Sequence, residues 1–303
     1  MKLILIFIDG FGLGEVDNQK NPIYKANTPT WDYIIKRGRL IATDACLEVA
    51  GLPQSATGQT SIFTGVNASK VLGRHLHGQP TETLKNIIKN SSLFKELRER
   101  GFTVTNANVY RPEYLSKILD PNEKEYKPSV TTVMTLESGL SFWTLEDYKL
   151  GKGLYHDITG KILVEEGYVE NTISSSDAAR RLYNLSREYD LTMFEHFLTD
   201  VIGHKMNMEE AVENIELIDS FLGELIKLVE LEEDFIIITS DHGNIEDLSV
   251  KTHTFNKVPT VILGNKERID SINIKSLIDI TPAILNLFDN YGNLDKQGKG
   301  LEN

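Results

Sequence analysis

The stretch Ile238-Thr239-Ser240-Asp241-His242-Gly243-Asn244 decides the fold predicted for this chain. It contains the end of an apolar run, 235–238, of the kind that forms a strand buried on both faces of a sheet. A carboxylate and an imidazole, Asp241 and His242, follow the run directly, and a further imidazole returns at His253. The pattern predicts a central strand whose carboxyl end carries side chains able to bind a metal ion.

A second apolar run and a mostly apolar one are followed by the same kinds of residue. Residues 3–8 lead into Asp9, and residues 193–198 are followed by Asp200 and His204. Because sites in doubly wound sheets gather at the carboxyl ends of the strands, we expect these side chains to converge. Mixed oxygen and nitrogen ligands favour zinc or manganese over calcium or magnesium. Six ligands exceed one tetrahedral zinc site and suit two divalent metal ions about 3.5–4 Å apart.

The alternation of strand and helix patterns predicts an α/β fold. We expect a doubly wound, mainly parallel sheet with helices on both faces. The predicted strands are 3–8, 40–49, 102–107, 193–198, 235–239 and 258–263, and the predicted helices are 28–35, 55–63, 91–100, 176–187, 209–229 and 280–287. Periodicity weakens between 121 and 168, where short alternating stretches such as 130–136 lie among several glycines. We therefore predict a catalytic core formed by 1–120 and 169–303, with 121–168 as a small inserted lid or cap.

Composition limits the possible partners and the location. The 303 residues include 32 basic and 44 acidic side chains, a net charge of −12. This balance argues against nucleic acid or an anionic membrane as a partner, because both require a basic surface. Cys46 is the single cysteine, so no intrachain disulfide can form, and the apolar run before Asp9 is too short for a signal peptide or a membrane span. These features predict a cytoplasmic protein and leave its oligomeric state open.

A candidate nucleophile is Ser55, in the segment Pro53-Gln54-Ser55-Ala56-Thr57-Gly58-Gln59-Thr60. A hydroxyl at the start of a helix meets unpaired backbone N–H groups and the positive end of the helix dipole, where anions bind. Thr57 is a rival nucleophile, and a plain helix-capping serine is the structural alternative.

Basic side chains that could bind a substrate follow in two places. Arg74 lies in the segment 70–78 and could hold a phosphate with both ends of its guanidinium, while His75 or His77 could protonate a leaving alkoxide. Arg111, after the predicted strand 102–107, is a second candidate. The alternative for each is a solvated surface charge.

The order of these motifs resembles the alkaline phosphatase superfamily, in particular its metalloenzyme branch with cofactor-independent phosphoglycerate mutase and phosphopentomutase. The matching segments are Asp9-Gly10, 55–58, 200–204, 241–244 and 253–259. The resemblance implies one metal held by Asp200, His204 and His253. It implies a second metal held by Asp9, Asp241 and His242, with the Ser55 oxygen between substrate and metal. The Ser-x-x-Gly register of the mutases favours Ser55 over Thr57.

Two departures from these relatives affect the predicted reaction. Gln59 stands where the mutases carry histidine, and the chain has only a small insert in place of the substantial domain with which they reorient the substrate. The context after Ser55 also lacks the proline and arginine that sulfatases require. We therefore predict two-metal phosphoryl transfer through a phosphoserine on a small phosphorylated substrate, with phosphate-ester hydrolysis ahead of an intramolecular phosphomutase reaction. A metal-binding protein without catalytic activity is the third possibility.

Overall fold

The computed structural model describes residues 1–120, 122–123 and 126–292. Their α/β architecture is built on a six-stranded, mainly parallel sheet with the strand order β2-β8-β7-β1-β6-β3. A separate pair, β4 and β5, lies outside it. The strands are β1 (Leu3–Ile8), β2 (Arg39–Thr43), β3 (Val104–Asn106), β4 (Val109–Tyr110), β5 (Trp143–Thr144), β6 (Leu191–His196), β7 (Phe235–Thr239) and β8 (Val258–Leu263). β1 is parallel to both β6 and β7, and β3 is parallel to β6, whereas β8 is antiparallel to β7 and to the edge strand β2.

Helices occupy the connections between the strands. They are α1 (Pro29–Arg37), α2 (Ser55–Thr64), α3 (Ala68–Leu72), α4 (Glu82–Asn90), α5 (Leu93–Glu99), α6 (Pro112–Ile118), α7 (Val130–Glu137), α8 (Leu145–Lys149), α9 (Lys161–Glu165), α10 (Ser175–Glu188), α11 (Leu198–Lys205), α12 (Met208–Leu228), α13 (Lys266–Asp270) and α14 (Ile280–Leu287). Two short 3-10 turns, Pro22–Tyr24 and Leu277–Asp279, and a terminal π-turn, Phe288–Gly292, complete the set. In the part of the chain described, no helix combines the length and apolar character of a membrane span.

The central strand β1 separates two apolar cores because successive side chains point to opposite faces of the sheet. Leu3, Leu5 and Phe7 belong to a core with residues from α2, α4, α5, α7 and α14. The alternate residues Ile4 and Ile6 join the opposite core, which α1, α10 and α12 cover. Helices therefore lie on both faces of the sheet, which confirms the predicted fold class.

Several predicted boundaries are wrong in detail. The strand predicted at 40–49 ends at Thr43, and the one predicted at 193–198 occupies Leu191–His196, so that Leu198 already begins α11. The alternating stretch 130–136 is helix α7, whose apolar residues pack into the first core. A short buried helix and a short buried strand produce similar apolar runs, and periodicity alone does not separate them. The sequence prediction also lacks the helices α3, α4, α6, α8, α9, α11 and α13.

The region of the predicted insert contains a small core of its own. Val109, Leu145, Tyr148, Tyr155 and Leu163 form this cluster, to which β4, α8 and α9 contribute. Helix α7, from the same part of the chain, packs instead on the main core. The division at 121 and 168 stays a prediction, and Pro121, Lys124, Glu125 and residues 293–303 lie outside the described residues.

Candidate metal centre and active site

Three neighbouring strands bring the acidic side chains together. β7, β1 and β6 lie side by side, and each is followed at its carboxyl end by a loop or helix that carries a predicted ligand. Gly10 follows Asp9 with φ +67°, and a Cβ atom at Gly10 would lie 2.9 Å from the Cβ of Asp200. A residue with a side chain would therefore meet both backbone strain and a steric clash here. The glycine allows the β1 end to approach helix α11 closely.

Asp200, His204 and His253 form the first ligand group. One turn of α11 separates Asp200 from His204, so both side chains lie on the same face of this helix. His204 Nε2 is 3.4 Å from Asp200 Oδ2, and His253 Nε2 is 3.3 Å from Asp200 Oδ1. The two Nε2 atoms face each other across 3.2 Å. All three residues can point a ligand atom at a common centre.

The hydrogen bonds on the far sides of these two rings show that the group suits a cation. His204 Nδ1 donates to the carbonyl oxygen of Lys251, and His253 Nδ1 donates to that of Pro53, both at 2.8 Å. A carbonyl oxygen only accepts, so the proton of each neutral ring is on Nδ1 and the Nε2 lone pairs are free. Two lone pairs and a carboxylate aimed at one point repel each other unless a cation lies between them. Fixing the tautomer through Nδ1 is typical of metal-binding histidines.

A second group lies beside the first and includes Asp9, Asp200 and His242. His242 Nε2 is 3.2 Å from Asp9 Oδ1 and 3.6 Å from Asp241 Oδ2. Asp241 is fully buried, and its Oδ1 accepts from the backbone N–H of Gly10 at 3.3 Å. The six predicted ligands therefore converge. Asp200 contributes to both groups, whereas the family resemblance implies that it binds one metal only.

The pKa values of these residues differ according to their neighbours. Burial and the nearby Asp241 carboxylate raise the pKa of Asp9. Burial opposes the ionisation of Asp200, but the contact with His253, the charge of His242 and the amide of Asn244 outweigh it and lower the pKa. Burial also opposes the charge on His242, but Asp241 and Asp9 outweigh it and raise its pKa to about 10. The site has a local excess of negative charge that favours a bound cation.

Gln59 lies between two of the carboxylates. Its Nε2 donates to Asp9 Oδ2 at 3.0 Å and to Asp241 Oδ2 at 3.2 Å, and the residue is 5% exposed. A neutral amide donor thus partly offsets the repulsion between the two acids without adding a charge. The departure from the mutase pattern has a defined structural role here.

Ser55 is the first residue of α2, and Gln54 occupies the capping position. The Ser55 Oγ is 3.0 Å from His242 Nε2, which places the hydroxyl at the second ligand group. The rival Thr57 is fully buried. Its hydroxyl donates to the carbonyl oxygen of Gln54 and accepts from the backbone N–H of Leu76, both at 3.2 Å. Ser55 is consequently the hydroxyl oriented toward the ligands, and Thr57 stabilises the loop around it.

A cavity of about 400 Å³ opens onto these residues. Its wall includes Asp9, Ser55, Gln59 and Asp200, and Arg111 lies in the same wall. The Arg111 guanidinium forms an ion pair with Glu166.

The other candidate substrate-binding residues do not line this cavity. Arg74 is exposed, and both ring nitrogens of His75 are engaged, with Ser69 Oγ and the carbonyl oxygen of Val49 at 3.1 Å each. His77 is exposed, with its ring centroid 6.3 Å from that of His253. Their proposed roles in substrate binding stay predictions, and the contacts of His75 indicate a structural one.

The structure adds cavity residues that the sequence prediction lacks. Glu195, on β6, is buried, and burial together with the Asp241 charge raises its pKa to about 7 although Thr131 donates to it. The wall also contains six ring-bearing residues: Tyr110, Tyr114, Tyr126, Tyr155, His156 and Phe197. An acid inside a mostly apolar, fully buried strand was a usable signal for Glu195. The rings come from four separate segments and had no such signal.

Comparison with known proteins supports the resemblance to the alkaline phosphatase superfamily. The sequence model of the Metalloenzyme superfamily matches residues 1–290. A 2,3-bisphosphoglycerate-independent phosphoglycerate mutase of Methylobacillus flagellatus is 28% identical over 124 residues, which are 39% of this chain and 24% of the relative. The chain thus aligns with about a quarter of the length of this curated relative.

Solved structures show the same fold. A protein from Pyrococcus horikoshii has a TM-score of 0.62 at 19% identity, with 95% of this chain and 96% of that chain covered. The alkaline phosphatase of the Antarctic bacterium TAB5 has a TM-score of 0.51 at 14% identity, with 95% and 98% covered. The family match over nearly the whole chain and the converging ligands together show that this protein belongs to the Metalloenzyme superfamily, as an alkaline-phosphatase-like metalloenzyme that resembles cofactor-independent phosphoglycerate mutase.

Proposed function

We propose that the protein is a metal-dependent phosphate-ester hydrolase that acts through a phosphoserine at Ser55. The observation that carries the proposal is the position of the Ser55 hydroxyl, at the start of α2 and 3.0 Å from His242 Nε2 within the ligand cluster. Asp200, His204 and His253 would hold one divalent cation, and Asp9, Asp241 and His242 the other, with Zn²⁺ or Mn²⁺ suited to this mixed ligand set. Bound cations would supply charge neutralisation, polarise the phosphoryl oxygens and lower the pKa of the serine hydroxyl.

The residues of the chain position the reacting atoms. The first N–H groups of α2 have no partner within the helix and can donate to phosphoryl oxygens next to Ser55. In the first step the Ser55 Oγ forms a bond to phosphorus, the ester P–O bond breaks, and the alcohol leaves with a proton from solvent. In the second step water attacks phosphorus, the bond to Oγ breaks, and inorganic phosphate is released. Ser55 is half-buried at the cavity wall, so its own proton can pass to solvent.

An intramolecular phosphomutase is the second candidate, and the curated relatives named as phosphoglycerate mutases favour it. A mutase must retain the alcohol while it reorients and takes the phosphoryl group back. The small core of five buried residues in the 109–163 region is a modest structure for that task, and we therefore place hydrolysis first. The partner in either case is a small phosphorylated compound rather than nucleic acid or a membrane, and the single cysteine agrees with a cytoplasmic location.

The test compares wild type with Ser55→Ala and Thr57→Ser, each loaded with Mn²⁺ or Zn²⁺, on an aryl phosphate. We expect Ser55→Ala to lower kcat by roughly 10³-fold or more, because the nucleophile is lost. Thr57→Ser retains a hydroxyl and should keep most of the activity. Acid-quenched wild type should carry one phosphoryl group on the peptide that contains Ser55. Full activity of Ser55→Ala would contradict the proposal.

Two further outcomes separate the alternatives. An isomeric phosphate ester formed without free phosphate would identify a mutase. Full metal occupancy without turnover of any phosphate ester would identify a binding protein.

A further inference from the structure

The cavity that contains Ser55 also has aromatic side chains in its wall. Tyr110, Tyr114, Tyr126, Tyr155, His156 and Phe197, which we call the aromatic chamber, line the same cavity as Ser55 and Asp200. The His156 and Phe197 rings are stacked, with centroids 4.0 Å apart and planes 24° apart, and Tyr155 lies 4.2 Å from His156. Tyr114 contacts both Tyr110 and Tyr126, at 5.6 and 5.1 Å. Two clusters of rings therefore line one cavity.

Hydrogen bonds restrain two of these rings, Tyr110 and Tyr114. The Tyr110 hydroxyl lies 3.2 Å from Thr132 Oγ1 and accepts from Asn106 Nδ2 at 3.3 Å. The Tyr114 hydroxyl lies 3.4 Å from the same threonine oxygen. A surface whose rings are already positioned loses little conformational freedom when a ligand binds. Phe197 directly precedes α11, three residues before Asp200, so the chamber and the ligand group are joined by one helical turn.

The chamber has little positive charge. Arg111 is the single Lys or Arg in the described cavity wall, and Glu166 already pairs with it. Burial lowers the pKa of His156 to about 3, so this ring is neutral at physiological pH. A carboxylate placed here would lose its hydration with one shared guanidinium as compensation. Under the proposed function the phosphate of a substrate lies at Ser55, so the other half of the substrate contacts the remaining wall of this cavity, where these rings lie.

We propose that the aromatic chamber binds the alcohol half of the substrate, and that this half is uncharged and carries a planar ring, as in a nucleoside or aryl phosphate. This inference rests on the proposed function, because Ser55 must bind the phosphate for the chamber to face the leaving group. Stacking on several rings selects a planar group, and a wall in which Arg111 is already paired and Glu195 is acidic disfavours phosphoglycerate, whose alcohol half is an anion.

Binding to the full-length Ser55→Ala protein tests the inference without turnover. Isothermal titration with adenosine 5′-monophosphate, phenyl phosphate and 3-phosphoglycerate, with inorganic phosphate as reference, should give Kd values for the two ring-bearing esters about tenfold below that for 3-phosphoglycerate. Adding Tyr114→Leu should remove about that tenfold preference and leave inorganic phosphate binding within about twofold. Tyr114→Phe keeps the ring and should keep the preference. Tyr24→Leu is the matched control, because Tyr24 is exposed outside this cavity.

Equal affinity for all three esters, or tightest binding of 3-phosphoglycerate, would overturn the inference. If Tyr114→Leu still binds the ring-bearing esters more tightly than 3-phosphoglycerate, the aromatic chamber is not the origin of that preference. The proposed function is tested separately by turnover in wild type. Selective binding without hydrolysis would refute the proposed hydrolase activity but not the proposed binding role of the aromatic chamber. Hydrolysis of all three esters with equal kcat/KM would refute the binding role of the chamber but not the hydrolase activity.

Discussion

Replacing Gln59 by leucine should destabilise the protein most when its metals are removed. The Gln59 amide donates to Asp9 and to Asp241, at 3.0 and 3.2 Å, and the residue is buried at the cavity wall. Leucine has a similar size and keeps the packing of α2 but supplies no donor. Two buried carboxylates would then face each other without the amide between them.

The expected loss follows from the two hydrogen bonds. A hydrogen bond to a charged group contributes about 1.5–3 kcal/mol, and two bonds that share one amide at these lengths should together contribute about 3 kcal/mol. For a chain of this size 1 kcal/mol corresponds to about 2 °C in Tm, so the metal-free variant should unfold about 6 °C below wild type. Bound cations neutralise the same carboxylates, so the loss in the metal-loaded protein should be less than about half of this.

Differential scanning calorimetry of wild type and Gln59→Leu, each with EDTA and with saturating Mn²⁺, measures both losses. Gln19→Leu is the control, since Gln19 is exposed and its replacement should change stability by less than about 0.5 kcal/mol. The same drop in Tm with and without metal would refute the reasoning, because it would show that Gln59 acts through packing rather than through the charges of the two acids.

Three further predictions concern the same region. The pKa of Glu195 rises from 4.5 to about 7 on folding, so the metal-free protein should lose stability as pH increases through that interval. At about 1.4 kcal/mol per pH unit, the free energy of unfolding of wild type should fall by about 3 kcal/mol between pH 4.5 and pH 8 because of Glu195. Glu195→Gln should lack this fall when both proteins are unfolded with urea across that range. The same pH dependence in both proteins would contradict the prediction. Gly58→Ala places a Cβ 2.9 Å from the backbone oxygen of Asp241. We therefore expect the free energy of unfolding to fall by about 1–3 kcal/mol and calorimetry to show weaker Mn²⁺ binding. Unchanged values would show that α2 can shift freely. Arg74→Met should leave kcat/KM within about twofold because the side chain is exposed outside the cavity, whereas a drop of tenfold or more would place Arg74 in substrate binding.

The sequence by itself determined the fold class and the acids and imidazoles that converge at one edge of the sheet. Apolar runs that end in acids predict buried parallel strands, and their carboxyl ends meet at one edge of the sheet whatever the details of the connections. For that reason Asp9, Asp200 and Asp241 could be placed together before any coordinates were known. Ser55 could be proposed because a hydroxyl at a helix start has a defined chemical environment.

Only the tertiary structure decided what depends on contacts between distant segments. The structure favours Ser55 over Thr57 as the nucleophile because the Thr57 hydroxyl is hydrogen-bonded to the backbone of Gln54 and Leu76. No local sequence pattern reveals these contacts. The role of Gln59 depends on two acids from different strands, and the aromatic chamber is assembled from short elements whose rings lie far apart along the chain. The spacing of apolar residues indicates which side of a helix or strand is buried, but it does not indicate which other segment of the chain covers that side.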